Sequence, residues 1–333
     1  NTLTIRNLGM SGFGGSGAVS VVSGATVIER SLFTNNTFQS ASPIPGMDGA
    51  SAGAINAVGR LVVTQSQFEG NTGFEGGAIH SAPSLVPQLV PAGAALPPVQ
   101  ISGSTFSDNE ASTAGGAIYT LQSLVMSNST VTGNSGGSAG ALNVDGSISL
   151  NFCTVVENVG SGLGAAVSAT SAVDISHSIL YLNTPEDVSS VEGETNVTSS
   201  LVTSSDSITS TLYATVLDDS NIVGEDPLLS PLGDFGGFAL PGGATIQTRP
   251  PQIDSPIIDT IELVAVGNGD GLTDQRGPGF PRFVNGRADM GAVENWSIIV
   301  PDPLTDPTNP VPDFDDFRWS LNLEQLTFLP DTR

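Results

Sequence analysis

A chain of 333 residues with nine arginines, no lysine and 33 acidic side chains carries a formal charge of −24, and a surface of that sign repels nucleic acid and anionic membrane. Its 38% hydrophobic content suffices for a core, while a bias toward Gly, Ser, Thr, Ala and Asn favours short strands and turns over long helices. A single cysteine excludes an internal disulfide, and no apolar run reaches transmembrane length.

The first residues, Leu3-Thr4-Ile5-Arg6-Asn7-Leu8, read as a strand of a repeating unit, because Ile5 aligns with Val63 and Leu8 with Ser66. Neither a charged n-region nor an apolar h-region precedes them, so an extracellular or cell-surface location implies that a leader has been removed. No capping element covers this strand. Leu3, Ile5 and Leu8 are therefore expected at an interface with the tail, a removed segment or another molecule.

A six-residue pattern then recurs as SLFTNN (31–36), SQFEGN (66–71), STFSDN (104–109), STVTGN (129–134), CTVVEN (153–158) and SILYLN (178–183). Each copy belongs to a longer unit that opens with a small-small-aliphatic corner, as at Gly77-Ala78-Ile79 and Gly116-Ala117-Ile118. The closing asparagines are 35, 38, 25, 24 and 25 residues apart. A base period near 24 with two enlarged units means a solenoid. Leucine-rich and helical repeat signatures are absent, whereas runs such as Leu61-Val62-Val63 and Ser147-Ile148-Ser149-Leu150 are short strands. The expected fold is all-β: a right-handed parallel β-helix over 1–226, an irregular C-terminal cap over 227–296 and an extended tail over 297–333. Stacked coils lie roughly 4.8 Å apart in such a fold.

Stacking supplies the reason for the pattern. An asparagine at one turn of every coil can hold a left-handed backbone and bond through its amide to the asparagines above and below. Asn36, Asn71, Asn109, Asn134, Asn158 and Asn183 are expected to form that ladder, with Phe33, Phe68, Phe106, Val131, Val155 and Leu180 as an apolar row beside it. Cys153 takes the slot held by serine in the other copies and reads as a small buried side chain.

Two insertions enlarge the solenoid, Ser40 to Ser51 and Ser81 to Pro98. The second carries Leu85, Val86 and Leu89 among prolines that cannot join a ladder, so it either packs on its own wall or meets a partner. From Thr184 to Asp226 the period blurs. Beyond Pro227 the texture turns to Gly, Pro, Asp and Arg, and Arg276, Arg282 and Arg287 stand close to Asp274, Asp289 and Glu294. Bidentate pairs pinning an irregular cap are the expected use. The tail opens with a proline-rich spacer and ends in Phe314, Phe317, Trp319, Leu321 and Leu323, whose alternation reads as a docking strand.

The ladder coils resemble bacterial right-handed parallel β-helix surface proteins. Asp226-Pro227-Leu228-Leu229 through Asp234-Phe235-Gly236-Gly237, then Ser255-Pro256-Ile257-Ile258-Asp259, Thr273-Asp274-Gln275-Arg276-Gly277 and Arg287-Ala288-Asp289-Met290-Gly291-Ala292-Val293-Glu294, are similar in order and content to the choice-of-anchor Q domain. That resemblance covers about residues 1 to 296 and implies export and anchoring at a cell surface rather than any one activity.

Parallel β-helices also carry polysaccharide lyases and hydrolases, which need a basic side chain with calcium, or neighbouring carboxylates. Arg30 and Arg60 lack a carboxylate cluster in sequence, His80 and His177 are isolated, and the acid pair Asp218-Asp219 stands without the N-T-D and G-H-G motifs of the hydrolases. An enzyme is accordingly not the expectation, and no cofactor is called for. Calcium is the single candidate ion, on the hard oxygens of Asn268, Asp270 and Asp274 in a Gly-rich loop. The expected role is structural or adhesive: copies joining head to tail into a fibre through the uncapped first coil and the tail, with extracellular polysaccharide as the alternative partner.

Overall fold

The computed structural model describes residues 2–15, 17–38, 52–83, 97–161, 165–212, 215–262, 272–284 and 286–295. Within them the six-residue motifs lie one above another. Each of the first six coils has four short arms, and the later ones, among the described residues, lack a strand in the third. In the second coil the arms begin with Ala25–Glu29 (arm A), Leu32–Thr34 (arm B) and Thr37–Phe38 (arm C), and the turn closes with Ile55–Val58 (arm D). Arm D recurs in an eight-stranded parallel sheet, marking eight coils, and Thr215–Leu217 with Ile222–Val223 begin a ninth. Arms A and B fuse into one 16-stranded sheet, because Leu124–Thr132 and Ile148–Val156 run through the corner as single strands. The interior is one continuous apolar cluster from Ile28 to Ile208. Among the described residues no helix is long and apolar enough to cross a membrane.

Register follows the sequence alignment. Ile5 stands over Ile28 and Ile28 over Val63. Phe33, Phe68 and Phe106 stack with ring centroids 5.0 and 4.8 Å apart and nearly parallel planes, and Val131, Val155 and Leu180 continue that row. Side chains of one kind are placed one coil apart, so each ring covers the next and water is excluded between them.

The corners differ from expectation by one residue. The left-handed backbone belongs to the residue before each ladder asparagine: Asn35 (φ 53°), Gly70 (63°), Asp108 (53°), Gly133 (68°), Glu157 (59°) and Leu182 (52°). That conformation turns its own side chain outward and delivers the following asparagine into the interior. A second left-handed row, including Arg30, Gln65, Asn128, Phe152 and His177, makes the corner between arms A and B.

Residues 227–295 do not continue the coils. Pro241 lies against Gly9 of the first coil, where an added Cβ would sit 3.2 Å from its ring carbon. At the other extreme, Ile257, Ile261, Ala288 and Met290 pack on Phe152, Val156, Ile179 and Leu201 of later coils. The segment is therefore a strap along the outer face of arm B. Beneath it Thr105, Thr130 and Thr154, which a bare wall would expose, are buried. Strap and solenoid belong to one compact unit ending at Asn295.

Candidate functional site

The ladder forms as a chain of side-chain amides. Each Nδ2 donates to the next Oδ1 at 2.9 to 3.0 Å, from Asn36 through Asn71, Asn109, Asn134 and Asn158 to Asn183. The same oxygens accept backbone N–H groups of the preceding rung. A ladder of donors must end on an acceptor. Asn183 Nδ2 donates to the buried carboxylate of Asp187 at 2.9 Å, which also accepts from the backbone N–H and hydroxyl of Thr203 and from the Ser207 hydroxyl. Burial raises the Asp187 carboxyl above its ordinary value, and those bonds oppose the rise. The sequence carries a faint signal for it: no asparagine occupies the rung after Asn183.

Serines make a parallel ladder. In six coils the hydroxyl donates to the carbonyl two residues back and accepts an N–H from the preceding coil, as Ser66 does to Thr64 and from Ser31. Cys153 sits in this slot, and burial pushes its thiol up to about 12. A thiol so far from ionisation at neutral pH is a packing element.

Strap chemistry centres on two arginines. Arg276 clamps Asp274, with Nη2 to Oδ2 at 2.5 Å and Nε to Oδ2 at 3.0 Å, and stacks over Phe280. Asp274 also accepts the backbone N–H groups of Arg276 and Glu294. Both its oxygens are thus engaged within the strap, while Asn268 and Asp270, the other residues of the calcium expectation, lie outside the described residues. Arg282 is fully buried. It donates to Asn128 Oδ1 of the solenoid and to the carbonyls of Gly291 and Ala292, and lies 4.5 Å over the Phe152 ring. Among the described residues no bidentate pair forms on Arg282, whose nearest carboxyl oxygen, on Glu294, stands 3.8 Å away. Arg287 pairs on the surface with Glu262 at 3.1 Å, outside the set of three acids. The two-pronged ion pair that crosses to the solenoid is Arg249 on Glu157, at 2.7 and 3.0 Å.

Asp259, Asp289 and Glu294 bring three carboxyl groups within 4.8 Å of one another. Burial, then the neighbouring Asp289, pushes Glu294 up to about 9, and burial raises Asp289 to about 6. Backbone N–H groups of Asp259 and Asn295 already occupy both Asp289 oxygens. Glu294 accordingly holds its proton at neutral pH. A proton on Glu294 relieves carboxylate repulsion within this cluster.

The two histidines have neighbours that sequence separation hides. His177 packs on Phe152 at 4.8 Å, its Nδ1 lies 3.0 Å from Asn151 Oδ1, and its carbonyl accepts the Gly291 N–H. It is a corner and strap contact. On arm D, the buried His80 sits beside Tyr119, rings 5.3 Å apart, with Glu75 at 3.6 Å from Nε2. Burial, then Glu75 and Asp145, raises the Tyr119 phenol. The identical corners Gly76-Gly77-Ala78-Ile79 and Gly115-Gly116-Ala117-Ile118 place both residues on one row, and that shared prefix could have revealed the pairing.

The ends of the stack form a third feature. Among the described residues, the strands of the first coil pair on one side only, as do Ile208–Ser210, Thr215–Leu217 and Ile222–Val223 at the far end. Exposed large apolar residues occur there: Leu3, Leu8, Phe13 and Val22 at the first coil, and Leu212, Val216 and Val223 at the far end. Ile5 is partly buried against the core. The remaining expected interface residues, Leu85, Val86, Leu89, Phe314, Phe317, Trp319, Leu321 and Leu323, lie outside the described residues. No protein family, curated protein or solved structure matches this chain.

Proposed function

We propose that this chain is a non-catalytic extracellular protein acting as a structural or adhesive rod at a cell surface, its strap being a choice-of-anchor Q-like element. The supporting observation is where the reactive groups go. Cys153, His177, Asp187, Arg276 and Arg282 are committed to holding coils and strap together, while large apolar side chains stay exposed along the first and last described coils. Rods of this kind work by length and by end contacts. Surface proteolysis of intact source cells tests the reading: release of the chain into the supernatant is expected, and full protection together with cytosolic recovery would rule it out.

A second reading, polysaccharide binding or cleavage, draws on the Glu75, His80 and Tyr119 rung. An acid beside a histidine beside a phenol is a workable proton-transfer set. Glycan-array binding, or release of unsaturated uronides that Tyr119→Phe abolishes, would favour it. Silence in both assays removes it.

A further inference from the structure

We propose that the outer face of arm A over the first six coils is a binding surface for a linear polysaccharide carrying uronate carboxylates. The inference rests on the adhesive form of the surface reading and names what the rod adheres to.

Charge singles out this face. Arm A of those coils, each strand with the corner residue after it, comprises residues 2–7, 25–30, 60–65, 99–103, 124–128 and 148–152, and its charged side chains are Arg6, Arg30, Arg60 and Glu29. Three cations thus stand against one acid on a chain of net charge −24. Glu29 is engaged by Arg6 at 2.6 Å and lies 4.0 Å from Arg30. Arg30 and Arg60 are exposed, and their hydrogen bonds go to neutral amides: Arg30 Nε donates to Gln65 Oε1 at 3.0 Å, and Arg60 Nη2 to Gln100 Oε1 at 3.3 Å. In the strap, by contrast, Arg249, Arg276 and Arg287 each hold a carboxylate within 3.1 Å. An amide orients a guanidinium without cancelling its charge, so two oriented cations face solvent and a carboxylate is their complement. Arg30 also rests over Phe238 of the strap, 5.5 Å from the ring centroid, which holds it at the edge of the face.

The rows indicate what kind of anion fits. Val27, Val62 and Val125 share one outward row, with Gln100 between the last two, and Val125 is 41% exposed. Arg60 stands on one side of this row. On the other runs a hydroxyl row, Thr64, Ser102 and Ser127, with Arg30 at the corner beyond it. The strip is therefore apolar along its middle and cationic at both edges. Sugar rings offer C–H faces to apolar surface and carry hydroxyls and carboxylates around their rims. A chain of them along the solenoid axis covers the valines, exchanges hydrogen bonds with the hydroxyl row and sets carboxylates on Arg30 and Arg60. Backbone groups of the inner strands are already paired within the sheet, so an acidic peptide finds no edge to extend. Neighbouring coils lie roughly 4.8 Å apart, which makes the strip about 24 Å long. Asp174, next after Ser149 in the valine row, ends it by repelling an anion. At 0.15 M salt the screening length is about 8 Å, so acids elsewhere on the molecule act weakly on a ligand seated here.

The test is calorimetric titration of the full chain with a galacturonate hexasaccharide and with its methyl ester, which keeps the rings and loses the charge. The acid is expected to bind, and the ester to bind about tenfold more weakly. Arg30→Gln and Arg60→Gln should each raise the Kd about tenfold, and Arg60→Lys, which keeps the charge without the fork, by less. Arg287→Gln, an equal change of charge at the Glu262 pair, should leave the Kd unchanged. Circular dichroism on every variant separates lost binding from lost folding. Equal binding of acid and ester, a parent-like Kd in the Arg30→Gln/Arg60→Gln double variant, or an equal loss in Arg287→Gln overturns the proposal. So does binding of a sulfated hexasaccharide alone, which assigns the face to another anion, or self-association that the double variant abolishes, which assigns it to the acidic surface of a second copy. Binding that Tyr119→Phe abolishes and the double variant keeps would move the contact to the Glu75 rung. A chain that surface proteolysis releases but that binds neither sugar would sink this inference while leaving the surface reading in place.

Discussion

Asn109 shows what one rung contributes. Its Oδ1 accepts both the N–H and the amide of Asn71, and its amide donates to Asn134 and to the Phe68 carbonyl. Asn109→Ala leaves several buried groups unpaired, at about 1–3 kcal/mol for each uncompensated group, so a loss of about 3–4 kcal/mol is expected in a denaturant melt. Cys153→Ser supplies the hydroxyl that the other coils use, and chemical unfolding should place it within about 1 kcal/mol of the parent. Glu294 gives a pH signature. Its folded pKa, about 9, lies above the ordinary glutamate value. The folded state therefore binds that proton more tightly, and the stabilisation is complete at acidic pH and fades as pH rises toward 9. Glu294→Gln keeps the neutral hydrogen-bonding shape and should flatten the alkaline fall in Tm. An unchanged fall in the variant would assign the effect to other groups.

The coil and the strap differ in how far sequence alone reveals them. Coils are legible because stacking forces like residues into like positions every turn: the serine, apolar and asparagine rows fall where the motif places them. Asn35, Gly70, Asp108 and Gly133 are types that accept the left-handed backbone, but Glu157 and Leu182 in the same row are not, so side-chain type alone does not mark the position. The strap has no period, so its lateral route is invisible beforehand, although Val156, Ile179 and Leu201, apolar on the outward side of arm B, mark a wall that something must cover. Its arginines and acids were visible, but their pairing was not, because Arg282 donates to carbonyls and Asn128. Arg282→Ala removes the anchor between strap and solenoid. Breaking so buried a charged contact is expected to cost about 3–5 kcal/mol, and limited proteolysis should then cut within 227–295 while the coils persist. Equal resistance in variant and parent would show that apolar contacts alone hold the strap.

At the scale of the whole molecule, charge and topology pull in opposite directions. A net charge of −24 opposes compaction. Raising sodium chloride from about 10 mM to about 500 mM shortens the screening distance from about 30 Å to roughly 4 Å. The Tm should rise over that range, as differential scanning fluorimetry would record. A chain indifferent to salt would mean that its acids are locally compensated.

The left-handed corners carry one more consequence. Arg30, Phe152, His177 and Leu182 hold a backbone that bulky side chains disfavour, and nothing in their own chemistry asks for it. Each takes that shape because the coil beside it already has it. Order in this chain is then copied from neighbour to neighbour, as a crystal face templates the next layer, and a coil made alone would not keep its turns. Folding would nucleate where adjacent coils match for longest, at Leu124–Thr132 on Ile148–Val156, and spread outward to both ends.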